Sequence, residues 1–104
     1  MPRPQREAGG EVLEKPKPKT RKPRLFHVVL HNDDYTTMEF VVKVLESVFL
    51  KPEPEAFRIM MQVHLDGKGV CGAFTYEVAE TKVATVHELA RTAGFPLRAT
   101  VEEA

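Results

Sequence analysis

Between His31 and Phe40 the chain reads His-Asn-Asp-Asp-Tyr-Thr-Thr-Met-Glu-Phe, and most of its distinctive chemistry lies in that stretch. Asn32, Asp33 and Asp34 set three short oxygen-bearing side chains directly after the apolar run Leu25-Phe-His-Val-Val-Leu30, where a strand must stop. Amide and carboxylate oxygens are acceptors, and the imidazole of His64 offers another. A group of acceptors suits a ligand that only donates. A free α-ammonium carries three N–H donors and a positive charge, which Asp33 would meet in a charge-assisted bond. Met38, Met60 and Met61 are three of the four methionines, and they fall on segments able to meet this turn. Unbranched thioethers line surfaces that accept apolar ligands of several shapes, although a methionine at helical spacing is more often plain core. The residues thus describe an acceptor cluster beside an apolar hollow.

Enzymatic readings fare worse. Asp33 and Asp34 are adjacent on an extended stretch and point opposite ways, which defeats shared-proton chemistry. Cys71 sits inside the apolar run Val70-Cys-Gly-Ala-Phe74 and reads as inert core rather than a nucleophile. His64, Asp33 and His31 have no H-x-x-x-H or C-x-x-C spacing to hold a metal. No catalytic residue, metal or cofactor is expected.

The elements that must position these residues follow from periodicity. A strand is predicted over 25–31. Thr36 is placed as the N-cap of the next helix, with Glu39 completing a capping box. That helix runs from about Met38 to Leu50, with apolar residues at 38, 41, 42, 45, 48 and 49. Lys51-Pro-Glu-Pro-Glu55 breaks it and opens a second helix to about Leu65, Pro54 suiting its first turn. Asp66–Gly69 is a turn. Val70–Phe74 is a second strand, whose Gly72 admits a close neighbour. Thr75 caps a third helix that ends at Gly94, two residues before Pro96. Residues 97–101 alternate as a half-exposed strand. The order β-α-α-β-α-β makes an α+β domain: a three-stranded, mostly antiparallel sheet with three helices on one face.

At 104 residues the chain is one domain. Its zero net charge conceals a division. Residues 1–24 hold eight Lys+Arg and three acids, and the remaining 80 hold seven and twelve. Five of the eight prolines also lie in that tail, which is read as extended and solvated, with 25–104 as the folded core. A nucleic-acid-associated or general protein-interaction role for the tail is the rival function, but no aromatics interleave its basic residues for base stacking. A single cysteine, no run of about 20 apolar residues and no leader-like apolar segment point to a soluble cytoplasmic protein with no membrane contact.

Asn32-Asp-Asp-Tyr-Thr36-x-Met38-Glu-Phe-Val41 resembles the signature of the ClpS family of adaptor proteins. Val63-His64-x-x-Gly67, Val70-Cys-Gly72, Thr75-x-Glu77-Val-Ala-Glu-Thr-Lys82-Val-Ala84 and Pro96-Leu97 are similar too, so the likeness covers about residues 25–104. The resemblance implies a non-catalytic, monomeric N-degron adaptor. It would bind proteins that begin with Phe, Leu, Tyr or Trp and deliver them to the N-terminal domain of a ClpA- or ClpC-type AAA+ ATPase working with ClpP, with no nucleic acid involved. It implies that Asn32, Asp33 and His64 bind the α-amino group and first peptide unit. Leu30, Thr36, Met38, Val41, Met60, Val63 and Leu97 would line the side-chain pocket, Met38 rejecting β-branched residues. Glu77 and Lys82 fall in the ATPase-docking region, and the tail would be engaged by the ATPase. Two positions depart from the family: Thr37 stands where Pro is usual, and His31, where an apolar residue is usual, puts an ionisable group at the edge of the hollow.

Overall fold

Val28, Val29 and Leu30 are each almost wholly buried, so the strand they occupy has to be covered on both edges as well as on its inner face. The computed structural model, which describes residues 22–104, makes that strand the middle one. β1 (Phe26–His31) pairs antiparallel with β2 (Lys68–Phe74) on one edge and with β3 (Arg98–Glu103) on the other. Helices α1 (Met38–Ser47) and α2 (Glu53–Asp66) fill the link from β1 to β2, and α3 (Tyr76–Ala93) joins β2 to β3. Element order, antiparallel pairing and the helices on one face are as the sequence predicts. The predicted tail, 1–24, lies outside the described residues apart from its last three.

Val28 and Leu30 face the helices and pack with Val44, Leu45, Ile59, Cys71, Val86 and Ala99 in one core. Burying each such aliphatic side chain is worth about 1.5–3 kcal/mol, which is what fixes the strand's register. Gly72 behaves as expected. A Cβ there would come within 2.8 Å of the Phe74 ring, so only glycine lets that ring fold back against β2.

Several element ends differ from the sequence reading, the last strand among them, which runs Arg98–Glu103 rather than 97–101. Thr37, not Thr36, is the N-cap of α1, its hydroxyl accepting from Phe40 N–H at 3.1 Å. Thr36 is instead engaged by Asp33, so the Thr36–Glu39 capping box does not form. α1 stops at Ser47 rather than Leu50, because Leu50 takes φ 54° and Lys51 N–H closes back onto the Leu45 carbonyl at 3.1 Å. β2 starts at Lys68, two residues early, because Gly67 ends α2 at φ 90° and turns the chain straight into the strand. Residue Thr75 does occupy the N-cap position of α3, but its side chain makes no capping bond.

Replacing Thr37 with Ala should therefore cost about 0.5–2 kcal/mol, while Thr75→Ala should be nearly neutral. Urea unfolding at constant m-value measures both, and equal losses would refute the assignment.

Candidate functional site

The site is built where β1 runs out. Asn32 N–H donates to the Gly67 carbonyl at 2.9 Å, which ties the first residue after β1 to the end of α2. His64 lies on the last turn of that same helix, so this one bond sets Asn32 and His64 beside each other.

Asp33 then closes the loop on itself. Its Oδ1 accepts from Tyr35 N–H at 2.8 Å and from Thr36 N–H at 2.7 Å, and its Oδ2 accepts from the Thr36 hydroxyl at 2.7 Å. Such side-chain-to-backbone turns are a habit of Asp in tight loops. Partial burial alone would raise the Asp33 carboxyl, but the bonds from Thr36 and Tyr35 together outweigh it and hold the group below its ordinary value. Asp33 is consequently a fixed anion, and three of its roughly four acceptor sites are taken.

Next to this turn is a hollow of about 260 Å³. Asn32, Asp33, Asp34, Thr36 and His64 form its polar end, while Met38 and Val41 from α1 and Met60 and Val63 from α2 form its apolar end. A drug-sized ligand wants about 300–1,000 Å³, so this one is scaled to a single side chain with its terminal group. Polar at one end and greasy at the other, it can fix both the charge and the shape of what enters.

The structure thus brings eight of the predicted binding residues around one hollow. Leu30 and Leu97 are not on its surface. Both are buried in the core, 0% and 4% exposed. Asp34, which the sequence reading set aside as half of an unworkable carboxylate pair, does line it. The signal was present, since Asp34 belongs to the same acceptor run.

His31 is not at its edge. Successive residues of a strand face opposite ways, so with Leu30 turned inward His31 lies on the outer face, its Nε2 2.8 Å from the Thr100 hydroxyl of β3. Burial, then the neighbouring Arg98 guanidinium, hold its imidazole below its ordinary value despite Glu102 nearby.

The remaining candidates sit elsewhere. Glu77 is exposed in the first turn of α3. Lys82, five residues on, is partly buried and donates from Nζ to the Val48 carbonyl at 2.8 Å, over the rings of Phe74 and Phe49. Burial pushes the Cys71 thiol up to about 12, which leaves no thiolate for nucleophilic work. Among the described residues no three His, Cys, Asp or Glu side chains are grouped to hold a metal ion, and no helix is long and apolar enough to cross a membrane.

Comparison with known proteins gives one answer. Residues 21–100 match the family model described as the ATP-dependent Clp protease adaptor protein ClpS. The Clp protease adapter protein ClpS of Desulfatibacillum aliphaticivorans is 60% identical over 93 residues, 89% of each chain. That of Nitratidesulfovibrio vulgaris strain Miyazaki F is 63% identical over 83 residues, 80% of this chain and 83% of its own. Among solved structures, Agrobacterium tumefaciens ClpS2 bound to L-phenylalaninamide superposes with a TM-score of 0.76 at 42% identity, over 80% of this chain and all of that one. With the family model matched across nearly the whole described fold, this chain belongs to the ClpS family of Clp protease adaptors.

Proposed function

We propose that this adaptor captures proteins by a free N-terminus carrying Phe, Leu, Tyr or Trp. It then presents them to a Clp AAA+ ATPase of the ClpA or ClpC type, coupled to ClpP, in the cytoplasm. The observation that carries this reading is the single hollow with acceptors at one end and methionine and valine at the other. L-Phenylalaninamide, held by the Agrobacterium relative, has the matching halves: a free α-amino group and a bulky apolar side chain.

The roles follow from donor and acceptor chemistry. Asn32, His64 and the remaining acceptor site of Asp33 receive the ammonium and the first peptide unit. An internal amide has one N–H and no charge, so it leaves acceptors unpaired at a cost of about 1–3 kcal/mol each. Only a chain end satisfies the group.

Thr36, Met38, Val41, Met60 and Val63 take the first side chain, and a branch at Cβ meets the Met38 side first. Leu30 and Leu97 act from behind, as packed core that keeps the wall from yielding. Docking uses the exposed face of α3 around Glu77. Lys82 contributes to docking by holding that helix in place against α1. The chain itself performs no reaction and needs no cofactor.

Acetylating the N-terminus of a Phe-initiated peptide should weaken binding roughly 10- to 100-fold, the worth of about 1.5–3 kcal/mol of charged hydrogen bonding. The affinity of the free peptide should also decline as pH rises through about 8, where α-amino groups lose their proton. Equal affinity for the acetylated peptide ends the proposal. Met38→Ala should admit Ile- and Val-initiated peptides preferentially, and an unchanged Leu/Ile ratio by calorimetry refutes the gate.

Because the Asp33 carboxyl is lower in the folded chain than in the unfolded one, its turn stabilises the fold at neutral pH. That contribution is lost as pH falls below about 3.9 through the lower folded value. Asp33→Asn should therefore lower the urea midpoint at pH 7 and narrow its difference from the parent as pH falls below about 4.

A further inference from the structure

Met38 and Met60 line two hollows, not one. The second is an open groove of about 800 Å³ between α1 and α2, bounded also by Phe95 just after α3. Thr36 lines the first hollow and its neighbour Thr37 the second, so the two openings share the start of α1 as well. The groove is aromatic. Its Phe40 and Phe95 rings stand 5.0 Å apart, and Phe57 is 55% exposed to solvent and lies outside the core. Glu39, Glu53 and Lys43 are the charged groups along it.

A residue that lines both hollows is the whole thickness of the partition between them. A thioether chain is about 4 Å across. Along an extended polypeptide the side chains alternate, so residues one and three point the same way, about 6.6 Å apart at roughly 3.3 Å per residue. That step is long enough to cross the methionines. Residue two, aimed the opposite way, stays out of both hollows. L-Phenylalaninamide, in the Agrobacterium relative, ends at the carboxamide from which a protein would continue, so it has no residue to place in a second site.

We propose that the groove receives the third residue of a captured protein, a large aliphatic or aromatic side chain set against Phe57 and the groove sides of Met38 and Met60. This inference rests on the reading of the first hollow as the seat of the N-terminal residue. Selection then falls on positions one and three, not on one and two. Seating residue three takes apolar surface of Phe57 out of water, and that burial supplies the affinity. A protein with a polar third residue is held by the first hollow alone.

Calorimetry on the full chain tests this with three peptides, Phe-Ser-Ser, Phe-Ser-Leu and Phe-Leu-Ser, each continued by the same polar residues. Phe-Ser-Leu should bind about tenfold more tightly than Phe-Ser-Ser, and Phe-Leu-Ser at most about twofold more tightly. Phe57→Ser should erase the Phe-Ser-Leu advantage and leave Phe-Ser-Ser unchanged, while Phe57→Leu should keep most of it. Equal affinity for the three peptides overturns the groove assignment and leaves the reading of the first hollow standing. So does an advantage that follows Leu at position two, or one that survives Phe57→Ser. Phe-Ser-Ser that fails to bind, or that binds as well when acetylated, sinks that reading and this inference with it.

Discussion

The ligand hollow depends on joining two chain segments that are far apart in sequence, and a single backbone hydrogen bond makes the junction. Asn32 N–H reaches the carbonyl of Gly67, the residue that ends α2 in the left-handed conformation. Without the positive φ at Gly67, α2 would not turn directly into β2, and β2 would not lie against β1 in the register that sets His31 opposite Lys68. The bond and the sheet pairing therefore enforce each other. The reward is a polar group from each segment, Asn32 and His64, facing one space.

Asp33 illustrates how a charge is kept ready for use. A carboxylate with three hydrogen bonds to its own loop cannot rotate to suit a ligand, and it cannot collapse onto a nearby cation. Its position is set before anything binds, so a donor group entering the hollow would meet a preorganised charge instead of having to order one. The same bonds limit Asp33 to about one further short contact. Asn32, Asp34 and His64 supply the other acceptors, which is consistent with a donor-rich group such as an ammonium.

Much of this was legible in the residues because local rules decide it. The Asn-Asp-Asp run after an apolar strand, the 3.6-residue period of α1 and the Pro54 and Gly94 boundaries are all set by nearest neighbours in sequence. The errors arise where something non-local or a competitor intervenes. Thr36 looked like a cap, but the Asp33 carboxylate three residues earlier claims both its N–H and its hydroxyl. His31 looked like a pocket residue by sequence distance, although strand parity sends it to the outer face. Leu30 and Leu97 have the right chemistry for a pocket wall, yet depth of burial is decided by packing. The larger groove was invisible because its lining comes from three separate stretches of the chain.

The last requirement is that α1 stay put, since Met38 is its first residue and walls both hollows. Ten residues are too few for a helix to persist alone in water. Val41, Val44 and Leu45 anchor its inner face, and its two ends are fixed by different means. Thr37 caps the start, supplying through its hydroxyl a bond that a proline at that position could not make. Lys82 secures the finish from across the molecule, placing a cation on the Val48 carbonyl where the helix dipole is negative. Lys82 rides on the same helix as Glu77, so one hydrogen bond ties α3 to the end of α1 opposite Met38.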